Sequence, residues 1–162
     1  FTTAIKTDGT IWAGGRNSHG QLGRGTTSTK ETTIGQIGAL TTWSKVACVH
    51  SSTAAVKTDG TLWAWGRNND GQLGQGNTTD RSSPVQIGAL TDWSKVYGSA
   101  PGAAFIAIKT DGTLWGWGNN ESGELGDGTQ IKRSSPVQVG ALTTWLVAAT
   151  GQVHTIALEG PA

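Results

Sequence analysis

Four sets of residues in this chain carry groups that could do chemistry: three histidines, an Asn-Asn-Asp run, a glycine cluster and a repeated Lys–Asp pair. His19, His50 and His154 would make a zinc site if the fold gathered their imidazoles. They fall at different places in the repeat described below, so no convergence is expected, and none is assigned as a metal ligand. Asn68-Asn69-Asp70 has the look of a calcium loop. Such a loop needs alternating oxygen ligands closed by a bidentate Glu, and the matching Ser18-His19 and Glu121-Ser122 break that pattern. Gly71, Gly74 and Gly76 could cradle a phosphate, but they lack the Gly-Lys-Ser/Thr ending and a following helix. Asp8, Asp59 and Asp111, two residues after Lys6, Lys57 and Lys109, could form a ring of acids facing a ligand. A hairpin-turn role explains the same repetition without one. No nucleophile, base and orienting acid can be paired, so the chain is read as non-enzymatic, with no cofactor site.

The elements that position these groups repeat. Lys57-Thr-Asp-Gly-Thr-Leu-Trp-Ala-Trp-Gly66 has counterparts beginning at Lys6 and Lys109, 51 and 52 residues away. Gly20-Gln-Leu-Gly23, Gly71-Gln-Leu-Gly74 and Gly123-Glu-Leu-Gly126 keep that period, as do Trp43, Trp93 and Trp145. A period near 50 residues marks one supersecondary unit per repeat. The chain is therefore one array, 1–162, with repeats at about 1–51, 52–103 and 104–157, and with 145–158 starting a further unit.

Within a unit the pattern alternates with period two, the signature of strands. The Trp63 and Trp65 side chains share one face, and Leu62 and Ala64 the other. Asp59-Gly60 between two apolar runs predicts a hairpin whose turn takes positive φ angles. Leu73 is the apolar residue of a turn-rich loop and should pin that loop to the core. Ser83-Pro84-Val85-Gln86-Ile87 predicts an edge strand, where Pro needs no ladder donor. Trp93–Tyr97 completes the unit. Four short strands per repeat predict an all-β fold of four-stranded antiparallel blades, a β-propeller. Named A to D from the axis outward, the strands run BCD, ABCD, ABCD, AB. A tail supplying both A and B would duplicate B on self-closure. The expectation is a segment of a larger ring, with further blades from the same parent chain or other subunits, and with exposed end faces that favour association.

Charged residues make up 14% of the chain, against about 25% in a typical soluble protein. The formal net charge of +1 gives no general pull toward nucleic acid. No apolar run approaches the roughly 18 residues of a transmembrane helix, so no membrane insertion is expected. Cys48 is the only cysteine, which excludes an internal disulfide framework.

The pattern Leu-Trp-Ala-Trp-Gly-x-Asn-x-x-Gly-Gln-Leu-Gly-x-Gly, followed by a Pro-Val strand and a segment like Ala148–Leu158, resembles the regulator of chromosome condensation repeat. The resemblance covers nearly the whole chain. It departs at Gly14, where the second Trp is missing, and at Ile34-Gly35, where Pro-Val is missing. The family's His-Thr pair survives at His154-Thr155 alone. The resemblance implies a β-propeller, usually seven-bladed, and a fold-holding role for His154. The close likeness of the copies and the low charge look prokaryotic or bacteriophage-like. The expected function is a protein-binding or structural module, extracellular, at the cell surface or in a virion. Guanine-nucleotide exchange on a small GTPase, or inhibition of an enzyme, are the alternatives that the family implies.

Loops that differ between copies are the places for a partner. The first candidate is Gly98, Ser99, Ala100, Pro101 and Gly102, in a segment longer than its counterpart Cys48–Ser52. The second is Arg81 and Arg133, in matching Arg-Ser-Ser-Pro contexts on the outer strands. The partner is a protein, not nucleic acid.

Overall fold

Each Asp-Gly pair turns the chain through a tight hairpin. Gly60 N donates to Lys57 O at 3.0 Å, and Lys57 N to Thr61 O at 3.0 Å. Of the pair, only the glycine takes positive φ, at 78° for Gly60, and no non-glycine residue does so among those described. A Cβ on Gly60 would also sit 2.7 Å from the Thr91 carbonyl carbon. The aspartate serves the turn differently, by accepting hydrogen bonds from the residue two further on.

The computed structural model describes residues 1–100 and 102–160. It contains four antiparallel sheets met in chain order. The first is β1 (Thr2–Ile5), β2 (Ile11–Asn17) and β3 (Ser28–Gln36). The second is β4 (Trp43–Val49), β5 (Ser52–Lys57), β6 (Leu62–Gly66) and β7 (Arg81–Gln86). The third is β8 (Trp93–Gly98), β9 (Ala104–Lys109), β10 (Leu114–Gly118) and β11 (Arg133–Gln138). The fourth is β12 (Trp145–Thr150) with β13 (Thr155–Glu159). This is the strand order read from the repeats: a three-stranded start, two full blades and a two-stranded end.

The core lies between sheets. Ile11, Ala13, Leu22 and Ile37 of the first unit pack with Trp43, Ala55 and Trp65 of the second. The opposite faces of those strands, Ala54, Val56, Leu62 and Ala64, pack with Trp93, Phe105, Ala107 and Trp117. Alternate residues thus serve two different interfaces. That is why β5 and β9 are buried at every position. Leu73 is fully buried, so its loop is pinned as its sequence implies. β7 and β11 are the outer edge strands, and each carries its proline there, Pro84 and Pro136.

The last sheet shows the consequence of an unpartnered face. Ile156, Leu158 and Val153 stand 66%, 60% and 52% exposed. The counterparts of Ile156 and Leu158 in β5 and β9 are covered by a neighbouring sheet. Among the described residues no helix is long and apolar enough to cross a membrane.

Candidate functional site

The repeated acids are engaged within their own turns. Asp59 Oδ1 accepts from Thr61 N at 3.0 Å and from the Thr61 hydroxyl at 2.7 Å. Thr61 Oγ1 in turn accepts from Trp63 Nε1 at 2.8 Å. The relay recurs at Asp8, Thr10 and Trp12 and at Asp111, Thr113 and Trp115. The Thr10 hydroxyl, then the Thr10 amide, hold Asp8 down to about 2, and the matching donors of Thr61 and Thr113 lower Asp59 and Asp111. The repeated lysines lie on tryptophans. Lys57 Nζ is 3.8 Å from the Trp63 ring centroid, and Lys109 Nζ is 4.3 Å from that of Trp115. Such cation–π contacts keep the lysines on the fold.

A second set of repeated residues, Asn17, Asn68 and Asn120, holds the turn-rich loops. Asn68 is completely buried. Its Oδ1 accepts from Leu73 N at 2.8 Å, and its Nδ2 donates to Asn77 O at 2.9 Å and Thr79 O at 3.1 Å. Asn17 and Asn120 clasp their loops in the same way. Their 51- and 52-residue spacing was the available signal. Each clasped loop then latches the next sheet. Gln21 O accepts from Trp65 Nε1 at 3.0 Å and from the Thr53 hydroxyl at 3.1 Å, and Gln72 O accepts from Trp117 Nε1 at 3.0 Å. The Thr155 hydroxyl donates to Glu124 O at 2.7 Å, while the His154 side chain is exposed beside Gly151. The three histidines stand apart: His19 meets Asp80 and His50 meets Ser51.

The candidate partner residues divide between two places. Gly98, Ser99, Ala100 and Gly102 lie at the β8–β9 end, on the strands farthest from β11 in the sheet. Pro101 lies outside the described residues. Ser99 is only 1% exposed, and its hydroxyl donates to Gly151 O and Gln152 O of the fourth sheet's turn. Gly102 O accepts from His50 N at 3.3 Å. The described part of this segment therefore bridges three sheets, and among its described residues Ala100 is the exposed one. Arg81 and Arg133 begin the outer strands β7 and β11. The structure does not bring them to the 98–102 segment.

The arginines differ in their company. Arg133 Nε and Nη2 reach Asp127 Oδ2 at 2.8 and 2.7 Å. Burial pushes the Asp127 carboxyl up. Hydrogen bonds from Thr129, Arg133 and Asn120 outweigh it and hold the group at about 2. A carboxyl held below its ordinary 3.8 stabilises the fold fully above that value, and the contribution fades as pH falls toward 2. The melting temperature should accordingly drop between about pH 4 and pH 2, and Asp127→Asn should flatten that slope. A variant melting curve with an unchanged pH slope would exclude the pairing as its source.

At Asp127's place the second unit has Gln75, whose Oε1 accepts from Arg81 Nε at 3.4 Å. Arg81 has no carboxylate within ion-pair distance among the described residues. It sits at a groove of about 510 Å³ between the second and third sheets. Val85, Ile87, Leu90, Trp93, Trp115 and Pro136 supply the apolar wall, Gln75, Asn77, Gln86 and Ser135 the polar one.

Comparisons with known proteins agree with this geometry. The chain matches the regulator of chromosome condensation (RCC1) repeat at residues 8–56, 59–105 and 111–158. It is 32% identical to human "Probable E3 ubiquitin-protein ligase HERC6" over 96% of its length and 16% of that protein. It is 32% identical to the Arabidopsis thaliana "Ultraviolet-B receptor UVR8" over 85% of its length and 32% of that protein. Human WBSCR16 superposes with a TM-score of 0.80 at 25% identity, covering 96% of this chain and 41% of that one. Prp20p of Saccharomyces cerevisiae superposes at 0.85 with 16% identity, covering 96% and 40%. The chain thus spans less than half of each of these proteins. These relatives are eukaryotic and give no support to the prokaryotic or bacteriophage expectation.

Proposed function

The chain belongs to the regulator of chromosome condensation (RCC1) repeat family, and from that premise we propose that it is a non-enzymatic, protein-binding segment of a β-propeller. One observation carries the reading. The repeated Asp, Thr and Asn side chains are consumed in turns, clasps and latches, while the outer-strand loops differ from copy to copy around an open groove. Catalysis needs polar groups free to meet a substrate, whereas a binding surface needs variety on a rigid frame. Protein partners have precedent on this fold. Prp20p is described by its binding to Gsp1p and histones, and yeast RCC1 has been solved bound to Kap60.

Grafting Gln75–Ser82 in place of Arg24–Thr32, which keeps the register of β3, tests the reading. The graft brings its own clasp acceptors, Asn77 O and Thr79 O. Stability should therefore stay within about 0.5 kcal/mol of the parent. Quantitative affinity capture should show a changed set of bound proteins. Identical capture by both chains, or no capture by either, would count against a binding role for these loops.

A further inference from the structure

The chain contains an internal control for the Arg81 groove. Two positions decide the charge at the start of each outer strand. In the first unit they hold Arg24 and Glu31, in the third Asp127 and Arg133, one cation and one acid in each case. In the second they hold Gln75 and Arg81, a cation and no acid. The third unit shows what an arginine at this place binds, since Arg133 grips the Asp127 carboxylate with two nitrogens. Arg81 has a single long contact to a neutral amide at 3.4 Å.

The first unit shows the groove wall occupied. Arg24 lays its guanidinium across β2 and β3, donating to Ala13 O and to Gly35 O at 3.2 Å, where the missing Cβ of Gly35 leaves room. In the second unit Gln75 reaches only as far as Val85 O, at 3.5 Å. The shorter side chain leaves the groove open. Among the described residues Arg81 is the one charged residue lining it, and the flank of half-buried Trp115 and the ring of Pro136 form part of the apolar wall.

We propose that the groove between the second and third sheets receives an extended segment of a partner protein, with an Asp or Glu carboxylate on Arg81 and an adjacent apolar side chain against Trp115, Leu90 and Pro136. This rests on the protein-binding reading and adds the chemistry of the partner. A carboxylate supplies the counter-charge that Arg81 lacks. A neighbouring apolar group uses the wall that a small hydrated anion would leave wet. A charged partner in a half-buried site makes the stronger class of hydrogen bond.

The test uses an array of octapeptides on the full chain, each with one Asp or Glu beside one Leu, Phe or Trp, matched by Asn or Gln versions. Wild-type protein should bind a subset of acidic peptides about ten-fold more tightly than their amide twins. Arg81→Gln should remove that preference. Gln75→Asp should remove it as well, because it rebuilds the internal pair of the third unit, and it should melt no lower than the parent. Lys132→Gln, which alters the separate Asp70 and Glu121 contacts, should leave the preference intact. Equal binding of acidic and amide peptides, or retention of the preference in Gln75→Asp, would overturn the proposal. So would displacement of every peptide by inorganic phosphate alone, which would mark a plain anion site. An array with no binding overturns it too. If the loop graft still alters protein capture in that case, the binding role survives and this groove is not its seat.

Discussion

Trp117→Ala should cost about 3–5 kcal/mol and unfold the third sheet with its neighbour. The indole is completely buried. It stacks on Phe105 at 5.8 Å and meets Trp93 edge-on at 6.3 Å. Its Nε1 donates to Gln72 O at 3.0 Å. Removal therefore opens a large cavity, discards an aromatic cluster and strands a buried carbonyl, and each of these destabilises separately. Because Gln72 belongs to the loop of the preceding unit, the damage crosses the interface. Trp65→Ala should behave alike, since its Nε1 donates to Gln21 O at 3.0 Å and Trp43 lies 5.9 Å away. Trp63→Ala, at the half-buried position of the same strand, should cost clearly less. Urea titration reads all three. A Trp117→Ala midpoint close to the parent's would show that the indole is not what joins the sheets.

That residue was legible in the sequence, and the reason is physical. Trp65 and Trp117 hold the same position in two of the three copies, each on a strand of period-two pattern, and a large side chain kept at one repeat position is an interface signal. The Asp-Gly hairpins and the strand order were legible for the same reason, because local turn chemistry and period-two patterning fix them. The turn detail was not: the glycine alone takes positive φ, at 77° to 78° in the three copies, and the aspartate works through its side chain.

Contacts made to backbone were hidden. Asn68 looked like a turn former because its partners, Asn77 O and Thr79 O, are carbonyls that every residue has. Ser99 looked like part of a partner-facing loop because its acceptors, Gly151 O and Gln152 O, are equally anonymous and 52 and 53 residues away. The Arg81 groove falls between these cases. The exchange of Asp127 for Gln75 is plain in the aligned repeats. Its meaning depends on Arg133 closing onto one and Arg81 having only a 3.4 Å contact to the other.

Asn68→Leu should be the most damaging substitution after those of the two buried tryptophans, at about 3 kcal/mol or more. Leu nearly matches Asn in length, so packing changes little at first order. Hydrogen bonding changes greatly. Leu73 N, Asn77 O and Thr79 O would lose their side-chain partner inside a clasp that is completely buried, and each unsatisfied buried group costs about 1–3 kcal/mol. Thr78→Val, in the same loop, exposed and outside the clasp, should stay within about 0.5 kcal/mol. The clasp also holds the segment from Gln75 to Arg81 that lines the groove. Amide exchange should therefore rise across residues 69–80 in Asn68→Leu before it rises in β5 or β6, and acidic-peptide binding should weaken with it. Arg81→Gln should lose the preference for acidic peptides with exchange unchanged. If Asn68→Leu left both exchange and stability near the parent's, the buried asparagine would be a filler of space, and the loops would owe their shape to their glycines alone.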